Sequence, residues 1–228
     1  MSITSTTLTR AAAVAAAVAG LAYIVIQFIH PADAIESLST PAWVNVHVLS
    51  FAEAVLALIG VTGLYLYQAR KVGILGLIGY GMFGFFFILQ AAFNFAEALI
   101  APLIAVNAPQ LAVDFAGLFG RYPAVTDLGA LGALPNVGAI LYVGGAILFG
   151  IATVRARMLS RGAGILLIVA AAVTPVAGAL LPHALERMAA VPMGLALIWF
   201  GYSLWKNSRT NTAPLTLSQT NSDQIPAS

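Results

Sequence analysis

The chain has 228 residues, of which 61% are hydrophobic and only 8% charged, and its formal net charge is +2. A soluble domain is about 45–50% apolar and about 25% charged, so this chain has too few charges to cover a water-facing surface. That excludes a soluble globular domain, a disordered chain and a nucleic-acid binder, and leaves an integral membrane protein. There is no cysteine, which removes disulfides, thiolate metal sites and cysteine nucleophiles.

Apolar runs between charged or proline-bearing breaks predict six transmembrane helices. Arg10 precedes the first, Ala11–His30, which stops at Pro31. At about 20 residues it exceeds the 7–15 residues of a signal-peptide core, so it reads as a retained helix. The second is Ala42–Tyr67 and the third Val72–Ala101, stopped by Pro102. The fourth is Pro135–Val154, the fifth Ala163–Leu181 before Pro182, and the sixth Met188–Trp205. The expected fold is thus all-α: a polytopic, six-helix bundle occupying residues 1–206, with a polar, disordered tail over 207–228.

Arg10, Arg70, Lys71, Arg155, Arg157, Arg161, Lys206 and Arg209 fall on one side of this arrangement, and only Arg121 and Arg187 on the other. The positive-inside rule then puts both termini in the cytoplasm. Two tight basic turns, at Arg70–Lys71 and Arg155–Arg161, make hairpins. Across the membrane lies a long connection, 102–134. Within it Pro109–Gly120 reads as a short amphipathic helix, with Leu111, Phe115, Leu118 and Phe119 on its apolar side. It would lie on the bilayer or roof an outward pocket. The segments Gly63–Ile78 and Gly150–Ile168 resemble each other weakly, as a parallel repeat would. The GLYLYQAR turn and the WFGYSLW ending have the general look of small bacterial six-helix membrane proteins, hence an expected plasma-membrane location.

Glycines crowd the helices: Gly60 and Gly63; Gly73, Gly76, Gly79, Gly81 and Gly84; Gly144, Gly145 and Gly150. Small residues allow close backbone approach in lipid, either inside one bundle or across a homodimer.

Ionisable groups within spans are costly and mark function by default. Glu53 lies roughly 16 Å along the second helix, at about 1.5 Å per residue. Gln90, Asn94 and Glu97 share one face of the third helix, at i, i+4 and i+7. His47, Ser50 and Glu53 form a polar stripe on the second. These two stripes are expected to face each other and to line an outward-facing pocket made by Glu53, Gln90, Asn94, Glu97, Ser50 and His47. Gln27 and Thr174 are expected to hydrogen-bond across helices. His30, His47 and His183 all fall on the outer side, and could hold a transition metal or a haem. No pair has HxxxH or HExxH spacing.

There is no phosphate-binding loop and no G-x-S-x-G elbow. The reading is therefore a non-enzymatic membrane protein that binds or transports a small ligand, proton or cation. The alternatives are a haem or metal redox protein, a membrane enzyme acting on a lipid or isoprenoid, and a structural protein that binds partners.

Overall fold

A computed structural model describes residues 4–119, 124–181 and 186–210. Among them the ordered elements are all helical. They are α1 (Ser5–Ile29), α2 (Ile35–Leu38), α3 (Pro41–Leu99), α4 (Ala101–Asn107), α5 (Pro109–Ala116), α6 (Leu134–Ala139), α7 (Gly145–Ala156), α8 (Arg161–Leu180) and α9 (Val191–Thr210). Five helical runs are long and apolar enough to cross a membrane: Ser5–Ile29, Pro41–Leu99, Gly129–Ala156, Arg161–Leu180 and Arg187–Arg209.

The second of these contains the expected second and third helices, joined across a kink. It is one helical run of 59 residues, broken at Gly73. Straight, it would reach about 88 Å, far beyond a hydrocarbon core of about 30 Å. Gly73 has φ 58° and ψ −161°, a backbone that only glycine adopts readily. A Cβ there would meet nothing within 4 Å, so conformation and not space demands the glycine. The run folds back into two antiparallel arms, 41–72 and 74–99. Tyr65 stacks on Tyr80 with ring centroids 4.4 Å apart, Thr62 Oγ1 meets Tyr80 Oη at 3.1 Å, and Trp43 Nε1 donates to the Glu97 carbonyl at 2.9 Å.

The helices form a closed ring in chain order. α1 packs on the first arm of α3, the second arm on α7, α7 on α8, α8 on α9, and α9 returns to α1. Each neighbouring pair is antiparallel. Gly60 and Gly63 meet Ala16 and Ala12, Gly79 and Gly145 meet the backbones of Phe149 and Phe83, and Gly20 meets Gly194. The expected glycine seams therefore lie within one chain. Gly81 is different: it faces open space.

One end of the ring, here the basic end, carries the Gly73 turn, the α7–α8 turn and both ends of the described chain. The second turn uses Arg157 in a left-handed conformation and Ser160 as the α8 cap, not a glycine. The two turns of the weak repeat are thus built differently. Gln68 Nε2 donates to Thr153 Oγ1 at 2.8 Å in the buried interior beneath them.

The interior between this end and mid-depth is filled by Phe83, Phe87, Phe149, Phe200, Leu197 and Leu204, all fully buried. Large apolar side chains also cover the outside, among them Phe28, Ile74, Phe85 and Ile140. A surface so apolar fits lipid. Trp43 is fully buried. α9 continues to Thr210, past the expected start of the polar tail. Residues 211–228 lie outside the described residues.

Candidate functional site

At the other end the ring opens into a cavity of about 370 Å³. Three local departures from regular helix surround it. Before α7 the chain makes one wide helical turn, Ile140–Gly144, with five-residue hydrogen bonding. Such turns re-aim side chains and recur at functional sites. Here the turn holds Tyr142, buried, whose hydroxyl lies 3.3 Å from Thr174 Oγ1 on α8. The next residue, Pro175, lies inside α8 and cannot donate to the turn before it. The third departure is the α4–α5 corner, opened by Pro109.

The predicted stripe on α3 reaches the cavity: Gln90, Asn94 and Glu97 line it, facing Gln27 and Tyr23 of α1 and Thr174 of α8. Phe86, Phe93 and Phe119 supply aromatic wall. His30, Asp33, Glu186 and Arg187 complete the charged rim, and Arg187 Nη2 bonds Asp33 Oδ2 at 3.0 Å.

The two polar stripes meet, as their spacing predicts. Gln90 Nε2 donates to Glu53 Oε2 at 2.9 Å, and Nε2 of His47 lies 3.4 Å from Oε2 of Glu97. Yet Glu53, Ser50 and His47 do not line the cavity. Glu53 is fully buried behind Gln90. Its Oε1 and the Oε1 of Gln90 are buried without a hydrogen-bond partner. Ser50 donates to the Val46 carbonyl of its own helix at 2.9 Å, a local bond common for serine in helices. Gln27 likewise donates to Tyr23 O of its own helix, not across helices, whereas Thr174 makes the cross-helix contact.

The His47 ring is oriented from both sides. Its Nδ1 lies 2.8 Å from the Trp43 carbonyl, which can only accept, so Nδ1 carries hydrogen. In a neutral imidazole Nε2 is then an acceptor facing an acceptor carboxylate. The close Nε2–Oε2 approach needs one further proton, held by one group or the other. Trp43 lies against His47 with centroids 4.1 Å apart and the rings tilted by 32°, and His30 meets it edge-on at 5.0 Å. The Nδ1 of His30 bonds the Pro31 carbonyl at 2.7 Å.

The metal and haem expectation finds two of its three histidines together, but their rings touch each other directly. Among the described residues no group of three His, Asp or Glu is placed to hold a metal ion. His183 lies outside the described residues, as does Arg121.

The predicted amphipathic helix forms, as α5 and one further tight turn, Gly117–Phe119. It covers the cavity: Ala116 and Phe119 line it, and Phe115 and Phe119 both pack on Phe93, at 4.9 and 4.8 Å. Asp114 fastens this roof to the following chain. It accepts hydrogen bonds from Gln110 Nε2 at 2.9 Å, Val125 N at 3.2 Å and Thr126 N at 2.6 Å. Thr126, through its side chain first, holds the carboxyl down at about 2 despite partial burial.

Sequence reasoning passed over Asp33, Asp114 and Arg187. Being one of only two arginines at an otherwise acid-bearing, apolar end was the available signal for Arg187. Nothing local marked Asp33 as its partner 154 positions earlier. Compared with protein-family models, with curated proteins and with solved structures, the chain matches none.

Proposed function

We propose that this chain is a plasma-membrane protein of six crossings, both arms of α3 spanning separately. Both termini face the cytoplasm and the cavity opens outward to bind a small organic cation. The sidedness rests on eight of ten basic residues gathering at the basic end. The ligand class rests on one observation, the composition of the cavity wall. Three carboxylates, Asp33, Glu97 and Glu186, share it with one guanidinium, Arg187, and with Phe86, Phe93 and Phe119. Carboxylate beside aromatic faces is the chemistry that holds an ammonium group. Mid-depth packing of Phe83, Phe87 and Phe149 closes the cavity below. Binding, not conduction, is therefore the activity this geometry supports, and transport would require that packing to part.

The test is calorimetric titration of the purified protein with choline, a quaternary ammonium small enough for the cavity. Its uncharged carbon isostere, 3,3-dimethyl-1-butanol, is the control. Choline should bind saturably and about tenfold or more tighter than the isostere, the scale of a desolvated cation–aromatic contact. Glu97→Gln should remove most of that preference. Equal affinities for the two compounds, or no binding of choline, would refute the cation reading.

A further inference from the structure

We infer that the basic end carries a site for an anionic phospholipid, at the seam between α1 and α9. The argument starts from an electrostatic imbalance. The guanidinium of Arg10 lies 5.7 Å from the ring centre of Trp205, and that of Arg209 lies 5.6 Å from the same ring. Two like charges share one indole. Attraction of each guanidinium to the ring does not cancel the repulsion between them. A carboxylate would, but none adjoins them among the described residues: α1 and α9 contain no acidic residue. Among the described residues every Asp and Glu belongs to the cavity half or mid-depth, from Asp33 to Glu186. The Nε of Arg10 is buried and has no hydrogen-bond partner. The missing partner is an anion with several acceptor oxygens.

Its chemical class follows from what adjoins the arginines. An open groove of about 480 Å³ runs from Arg10 and Trp205 along α1. Ala11, Val14 and Val18 line it, and Leu56 of α3 closes its far end. From residue 10 to residue 18 the helix rises about 12 Å. A charged mouth joined to an apolar trough fits a phosphate headgroup with an acyl chain. Free phosphate would leave the trough empty. Lys206, one turn from Arg209, adds charge at the same level. Basic clusters at the end of membrane helices attract anionic lipid.

The experiment uses the full chain with Trp205 as the sole tryptophan (Trp43→Phe, Trp199→Phe), in phosphatidylcholine nanodiscs. A minor fraction of either dibrominated phosphatidylglycerol or dibrominated phosphatidylcholine is added as a short-range quencher. Size-exclusion profiles confirm that each variant is folded. Phosphatidylglycerol should occupy the site about tenfold more readily than phosphatidylcholine, seen as quenching at a correspondingly lower lipid fraction. Arg10→Gln with Arg209→Gln should make the two lipids equivalent. Ala11→Phe, which fills the groove and keeps both arginines, should also reduce the preference. Equal quenching by both lipids in the parent protein would overturn the proposal. So would a preference that survives the double arginine substitution.

Discussion

Single residues at the cavity end are fixed by backbone groups as much as by one another. His47 is oriented through Nδ1 by the Trp43 carbonyl, and the same tryptophan donates its Nε1 to the Glu97 carbonyl. Trp43 therefore positions both members of the His47–Glu97 pair. Asp114 is the clearest titrating case outside the spans. Its carboxyl is held at about 2, below the ordinary 3.8, by hydrogen bonds from Thr126 and its neighbours. A depressed carboxyl contributes stability that is complete above its unfolded value and is lost as pH falls through its folded value. Protection of the Val125 and Thr126 amides against hydrogen exchange should thus hold at neutral pH and decline between about pH 4 and pH 2. Asp114→Asn should lower protection at neutral pH and abolish that acid-dependent decline. A decline of the same size in the variant would show that another group controls the roof.

At the scale of elements, glycine does two separate jobs. Gly73 supplies a backbone conformation, whereas Gly79 and Gly145 supply room. A Cβ on Gly79 would lie 2.4 Å from the Phe149 nitrogen, and one on Gly145 would lie 2.5 Å from the Phe83 nitrogen. Backbone cannot move aside as a flexible side chain can, so Gly79→Leu should prevent the second arm of α3 from docking on α7. Gly81→Leu, two residues away on an open face, should change stability by less than about 0.5 kcal/mol. Fluorescence-detected size exclusion of the two variants after graded heating separates them. Equal loss in both would show that α3 needs small residues all round. The glycine count alone did not distinguish these positions, because helix periodicity says which residues share a face and not which face meets another helix.

For the whole molecule, the ring topology sets which groups share a compartment. Neighbouring rods alternate in direction, so the basic turns gather at one end and the carboxylates around the cavity at the other. The absence of native cysteine makes sidedness directly measurable. Val125 is 80% exposed at the cavity end, and Arg157 forms the turn at the basic end. In intact cells a membrane-impermeant maleimide should label Val125→Cys, and should reach Arg157→Cys only after permeabilisation. The reverse pattern would invert the proposed orientation and place the cavity on the cytoplasmic side.

Much of this architecture follows from the chain alone, for a physical reason. In lipid each crossing must satisfy its own backbone, so long apolar runs become helices and charges collect at their ends. Hence the helical segments, the two basic turns, the short helix near Pro109 and the facing stripes of α3 could be read from residue type and spacing. The residue that bends the first basic turn could not, because Gly73 is one of five glycines there and only its backbone torsion marks it. Nor could the division of the polar residues. Gln90 and Glu97 line the cavity while Glu53 and Ser50 lie behind it, a difference set by helix rotation. The pairing of Asp33 with Arg187 and the approach of Arg10 to Trp205 depend on residues far apart in sequence meeting at the ring's closure. Local chemistry determined the elements, and packing around the ring decided which polar groups face a ligand.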